Sequence, residues 1–172
     1  MADLISVVIP FYSRGDRDYL RQACHSIRTQ DYAAVELIVV VNGPEAAQVR
    51  DELHPLLADC MATILISSTS GISPALNTGI AHANGQYIAR MDADDISRPD
   101  RLQKQISWMN ENQLDICGSA MRFITYDGIA KSGSYWQALS NYHIRFSLHF
   151  FCALAHPTII IRKSALPKSP YV

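Results

Sequence analysis

Three carboxylates within four residues, Asp92, Asp94 and Asp95 around Ala93, form the stretch of this chain whose residue types most need a chemical explanation. Like charges this close repel unless a cation offsets them, and oxygen ligands select a hard ion such as Mn2+ or Mg2+. In extended backbone, residues two apart project to the same side, so Asp92 and Asp94 can face one ligand. An EF-hand is excluded, because the sixth position from Asp92 is Ser97 and the twelfth is Gln103, where glycine and glutamate are required. The bland alternative is a solvated acidic loop entering a helix, with Ser97 and Asp100 as its cap and Asp95 favouring the helix dipole. Spacing alone leaves both readings open.

Other chemistries lack their marks. There is no Walker-type loop, no G-x-G-x-x-G after the first strand and no G-x-S-x-G elbow, so P-loop hydrolysis, dinucleotide redox and α/β-hydrolase chemistry are not indicated. Cys24, Cys60, Cys117 and Cys152 form no C-x-x-C pair, which argues for buried thiols in a reducing compartment over a zinc or thioredoxin-type site.

The elements that must position the tetrad alternate strictly. Ile5–Ile9 is short, β-branched and stopped by Pro10, as a strand buried on both faces should be. Ser13 with Asp16 resembles a capping box for a helix carrying Leu20, Cys24 and Ile27. Leu37–Val41 is a second strand, ended by Asn42-Gly43-Pro44, and Val49, Leu53, Leu56 and Leu57 mark a second helix. After a third strand at Ala62–Ile66 and a Ser/Gly loop, Ser73 as N-cap and Pro74 at the first position predict a helix with Leu76, Ile80 and Ala83 inward. Tyr87–Met91 is the fourth strand, and Leu102, Ile106 and Met109 line the helix beyond the tetrad. Such order means βαβ units and a mainly parallel sheet with helices on both faces, a Rossmann-like α/β class. Further on, Ile116–Tyr126 and Thr158–Ile161 read as strands, and Tyr142–Ala155 as a helix with Ile144, Leu148 and Phe151 in the core. In such a sheet ligands bind beyond the carboxyl ends of the strands, where these loops and the tetrad all fall.

With 172 residues and 48% hydrophobic content, one self-sufficient domain is expected. The net charge of −1 gives no general reason to expect nucleic acid as a partner. The charges are unevenly spread: residues 1–127 hold all 16 acids and 10 of the 15 bases, while residues 128–172 hold five bases and no acid. The beginning Met1-Ala2-Asp3 shows no signal-peptide pattern and no run approaches 18 apolar residues. A cytoplasmic protein is the expectation, with possible peripheral contact to the inner membrane face through the basic end and the stripe at Ile144.

Together, Ser6–Tyr12, Gln30-Asp31-Tyr32, Ala75–Ile80 and Gly85–Asp95 resemble the family 2 glycosyltransferases, closest to the bacterial capsule, lipopolysaccharide and exopolysaccharide group; His156-Pro157-Thr158 with Arg162-Lys163-Ser164 resembles a later segment of it. The resemblance implies an A-type glycosyltransferase fold, inversion at the sugar, a nucleotide-diphosphate sugar donor and a saccharide or lipid-linked acceptor. It implies one domain over 1–172, with 1–112 as the nucleotide-sugar-binding half and 113–172 as the start of the acceptor side. It places Pro10, Tyr12 and Arg14 around the nucleoside and phosphates, Asn77 and Ala93 near the donor, Asp92 near the ribose, and Asp94 on the cation, Mn2+ or Mg2+, with Asp92 as the second metal candidate.

Two departures qualify it. The family often carries an acidic pair and Gly-Ser after the second strand, whereas this chain reads Val41-Asn42-Gly43-Pro44, with the Asn42 amide able to meet a uracil edge. The family's general base is an acid downstream of His-Pro-Thr, and this chain has none after Asp127. Either the chain is a fragment or natural truncation, or another group such as His156 takes the proton; a structural His156 before Pro157 is the favoured reading of that residue, and a catalytically incomplete nucleotide-sugar-binding module is the alternative function. A sugar-1-phosphate nucleotidyltransferase would need a glycine-rich basic loop where Pro10-Phe11-Tyr12 stands.

Overall fold

A computed structural model describes residues 3–125, 128–134 and 140–171, with the backbone alone at 132–134. Its first part alternates as the periodicity predicts: β1 (Ile5–Tyr12), α1 (Arg17–Arg28), β2 (Val35–Asn42), α2 (Ala46–Leu56), β3 (Thr63–Ile66), α3 (Ile72–His82), β4 (Tyr87–Arg90) and α4 (Arg101–Glu111). There follow β5 (Ile116–Cys117), β6 (Arg122–Ile124), β7 (Ala130–Ser134), α5 (Asn141–Ser147) and β8 (Ile160–Arg162). The main sheet runs β3-β2-β1-β4-β8-β5, and β6-β7 is a separate antiparallel pair. The first four strands are parallel, and β8 is antiparallel to both neighbours.

Alternate residues of β1 serve opposite faces. Ile5, Val7, Ile9 and Phe11 pack with Leu20, Cys24 and Ile27 of α1, Val49 and Leu53 of α2, and Leu102, Ile106 and Met109 of α4. Val8 joins Ile38, Val40 and Ile88 under Ala75 and Leu76 of α3 on the other. With both faces covered, the strands need no polar face, hence their continuous apolar runs. Burying each large aliphatic side chain contributes about 1.5–3 kcal/mol. Gly79 lets α3 approach the sheet: a Cβ there would press on Val8 Cγ1 and lie 3.1 Å from Val40 Cγ2.

The amino edge is tied by Glu36. Its carboxylate accepts from Ser6 Oγ (2.5 Å), Asn84 N (2.9 Å) and Asn84 Nδ2 (2.6 Å), and Gly85 N donates to Ser6 Oγ (2.8 Å). Burial opposes the charge, but these donors prevail and hold the Glu36 pKa below the ordinary value.

Several local expectations are corrected. Ser13 does not cap α1, because its N–H continues the sheet geometry to Asn42 O (2.8 Å); Asp16 caps instead, accepting from Asp18 N and Tyr19 N. The third helix starts at Ile72 after Gly71, not after Ser73, and Pro74 sits within the first turn, where its missing N–H costs nothing. Asp100 precedes α4 without a side-chain cap, its carboxylate being taken by Arg98 and Lys104. The strand expected over Ile116–Tyr126 is two short strands, with Tyr126 outside the described residues. The helix expected to reach Ala155 stops at Ser147, and Leu148 (57% exposed) and Phe151 (52%) lie at the surface, not in the core. Of the cysteines, Cys24 and Cys60 are buried as expected, Cys117 is half-buried and Cys152 exposed.

Gly79→Ala is expected to lose about 1–3 kcal/mol of stability by overpacking α3 against β1, read as a lower urea midpoint at unchanged slope. Because the Glu36 pKa is lowered on folding, its stabilisation is complete well above the unfolded value of 4.5 and is lost as pH falls through the folded one. Wild type should therefore lose more stability than Glu36→Gln between neutral pH and that range, which paired urea titrations would measure.

Candidate functional site

The site assembles at the carboxyl ends of the parallel strands. At the carboxyl end of β1, Pro10 and Tyr12 line a cavity of about 270 Å³ with Asn42 from β2 and Ser70, Gly71 and Ile72 at the start of α3. Tyr12 is 48% exposed, a ring free to stack. Gly43 has φ 101°, and a Cβ there would fall 2.5 Å from Tyr12 Cε2, so the turn after β2 needs glycine to let that ring lie where it does. Asn42 is buried and its amide is spent within the fold: Nδ2 donates to Phe11 O (3.1 Å) and Oδ1 accepts from Gly71 N (3.2 Å). It builds the cavity wall by joining the end of β1 to the start of α3. Arg14 is exposed beyond β1.

The acidic tetrad follows β4, and its carboxylates have different surroundings. Asp92 is ion-paired to Arg90 Nη2. Asp94 is exposed and has no hydrogen-bond or ion-pair partner among the described residues. Burial, then the charges of Asp92 and Asp94, push the Asp95 pKa up to about 6. Ala93 sits half-buried between them. Gln30, at the end of α1, holds the exit of this loop: its Nε2 donates to Ser97 Oγ (3.1 Å) and Arg98 O (2.7 Å), and its Oε1 accepts from Leu102 N (3.1 Å). Ser97 N donates to Ser26 Oγ (3.0 Å), so the serine expected to cap α4 fastens the loop to α1. A second cavity, of about 530 Å³, lies between Tyr19 and Gln22 of α1, Asp94, Ile96 and the β6-β7 pair at Ile124 and Lys131.

Among the described residues no three His, Cys, Asp or Glu side chains gather into a metal cage. The donor chemistry still fits a hard cation that takes one protein carboxylate, Asp94, and further oxygens from a nucleotide diphosphate.

His156 and Asn77 stand together through the end of the chain. Asn77 Nδ2 donates to Tyr171 O (2.7 Å) and Ser169 Oγ (3.3 Å), and its Oδ1 accepts from Tyr171 N (3.1 Å). The Tyr171 hydroxyl meets His156 Nε2 at 2.9 Å. Burial and the nearby Arg90 charge lower the His156 pKa, favouring a neutral ring. Sequence reasoning left Ser70, Gly71 and Ile72 out of the site, although their place after the third strand was a signal.

With this geometry, the comparisons with known proteins take on meaning. The Glycosyl transferase family 2 model matches residues 6–168, and the chain belongs to that family. It is 33% identical over 168 residues to the O-antigen biosynthesis glycosyltransferase WbnJ of Escherichia coli, covering 96% of this chain and 64% of WbnJ. It is 28% identical to the amylovoran biosynthesis glycosyltransferase AmsE of Erwinia amylovora, covering 93% and 60%. This chain thus spans less than two thirds of either relative. Among solved structures, the fold is shared with Staphylococcus aureus TarS 1-349 in complex with UDP-GlcNAc (TM-score 0.66, 20% identity, 94% of this chain and 46% of that one). It is shared also with the mannosyltransferase PcManGT of Pyrobaculum calidifontis in complex with GDP-Man and Mn2+ (TM-score 0.62, 15% identity, 94% and 45%). The fold is therefore that of the A-type glycosyltransferases.

Asn42→Asp, which would set a carboxylate oxygen against the Phe11 carbonyl in place of a donor, is expected to cost about 1–3 kcal/mol. Urea unfolding would measure it, and an unchanged midpoint would show that the amide is not what joins β1 to α3.

Proposed function

We propose that this chain binds a nucleoside-diphosphate sugar, UDP-linked by preference, and serves an inverting, metal-dependent transfer to a saccharide or lipid-linked acceptor in surface-polysaccharide assembly. The observation that carries this reading is the cavity at Pro10, Tyr12 and Asn42, formed at the same sheet edge as the exposed, unpartnered Asp94. The family membership and the nucleotide-sugar complexes of the two structural neighbours support it.

In this reading Tyr12 stacks on the nucleoside, Pro10 floors the cavity, and Arg14 reaches the phosphates from the exposed end of β1. The first turn of α3 turns its positive end toward the same space. Asp92 keeps one oxygen for a ribose hydroxyl while Arg90 holds the other. Asp94 holds Mn2+ or Mg2+, which when bound offsets the charge developing on the departing diphosphate. An acceptor hydroxyl then forms its bond to the anomeric carbon as the bond to the phosphate oxygen breaks, and its proton passes to a base. His156 is the group of this chain proposed for that proton, since a neutral ring can accept it.

Residues 1–112 supply the nucleotide contacts and 113–172 begin the acceptor side. Among the described residues no helix is long and apolar enough to cross a membrane. Contact with the inner membrane face, in a cytoplasmic protein, is assigned to the exposed Tyr142, Phe146 and Phe150 around Arg145.

Calorimetry with UDP is expected to show roughly tenfold or tighter binding with Mn2+ than with chelator, a difference of about 1.4 kcal/mol. Asp94→Ala should remove that difference while keeping a cooperative melt. Equal affinity with and without metal in wild type would refute the metal assignment, and tighter binding of GDP would reassign the nucleobase.

A further inference from the structure

The two aspartates that flank Ala93 are not equivalent. Arg90 is 4% exposed, at the end of the central strand β4, with its backbone N–H bonded to Ile159 O (2.9 Å). Its guanidinium Nη2 is paired with Asp92 Oδ1, and its Nε has no hydrogen-bond partner, so Asp92 is its ion-pair partner among the described residues. A buried guanidinium cannot shed its proton, and it keeps hold of the carboxylate that is ion-paired with it. Asp94, two residues on, is exposed and has no such partner.

We infer that Arg90 is a positioning residue that withholds Asp92 from the cation. Asp94 alone of this pair is then offered as a ligand, and the divalent ion is held only together with the donor's diphosphate. This rests on the proposed metal role of Asp94. A hard cation bound through one carboxylate retains most of its water and is held weakly, and phosphate oxygens supply what the protein does not. Metal and nucleotide therefore bind with positive coupling, each raising the affinity of the other by the same factor. The pairing also leaves Asp92 with its charge offset and its second oxygen able to accept a hydroxyl, a different task from that of Asp94.

The test is Mn2+ binding followed by water-proton relaxation enhancement, which reports the protein-bound ion, with UDP as the nucleotide probe. Nucleotide-free wild type should give no enhancement at equimolar Mn2+, and addition of UDP should produce it beyond that of Mn2+ with UDP alone. Arg90→Met should raise the nucleotide-free Mn2+ affinity roughly 10–100-fold, and Asp92→Asn added to it should reverse the gain. Should Arg90→Met not fold, Asp92→Asn in wild type decides the matter, since it should leave the weak nucleotide-free affinity unchanged. Enhancement in nucleotide-free wild type that Asp92→Asn removes would overturn the role given to Arg90 and leave the metal reading of Asp94 standing. No enhancement with either UDP or GDP would instead refute that reading itself.

Discussion

β1 is paired along both edges, with β2 and β4, and covered on both faces by helices. Its backbone groups are satisfied by neighbouring strands and its side chains by the two cores, so nothing along Ile5–Ile9 can meet a ligand. Polar chemistry is confined to where the strands end. Because β1 to β4 are parallel, their carboxyl ends lie along one edge, and the loops after β1, β2, β3 and β4 converge there. Pro10, Tyr12, Asn42 and Gly71 line one cavity for that reason, although they span some sixty residues of chain, and the acidic tetrad follows β4 at the same edge.

A sheet edge built from loops is useful only if the loops hold their places. Here each is fixed by one buried or half-buried polar side chain that bonds to backbone. Asn42 ties the end of β1 to the start of α3, and Gln30 ties the exit of the acidic loop to α1. Glu36 does the same at the opposite edge, locking the turn before β4 to β1 and β2. A buried polar group left unpaired costs more than the same bond contributes when made, so such side chains penalise any displaced arrangement. In a neutral amide, donor and acceptor lie on one rigid plane, which suits Asn42 and Gln30 to joining two backbone segments at once.

The alternating first part of the fold was legible because apolar runs of strand length and helical stripes follow one another there; the end of the first strand was not, since β1 runs on through Pro10 to Tyr12. The caps were less legible. Ser13 and Ser97 have the right residue type, but backbone pairing and a contact with α1 claimed them first, and no local pattern encodes those long-range bonds, while Ser73 falls inside α3. Past residue 112 the strands shorten to between two and five residues, too few for a clear period, and α5 bears aromatic residues that its length cannot bury. At the site, the positions after strands could be read directly. Which amide is already spent depends on neighbours remote in sequence, such as Phe11 for Asn42 and Tyr171 for Asn77.

Asn77 shows what that remoteness does. It lies on α3, the helix that begins at the cavity lined by Pro10 and Tyr12, yet its amide makes a donor-and-acceptor pair with the backbone of Tyr171, as a neighbouring strand would. Tyr171 in turn places its hydroxyl on His156, whose ring lies near enough to Arg90 for that charge to lower its pKa. A chain of direct contacts thus runs from α3, beside the cavity lined by Pro10 and Tyr12, through Tyr171 to His156. Loss of either Asn77 bond would free the segment that orients His156 without touching the sheet. The start of α3 and His156 are therefore joined by the side chains of Asn77 and Tyr171 as well as by the strands beneath them, and the His156 ring can be no better ordered than the Tyr171 backbone that Asn77 holds.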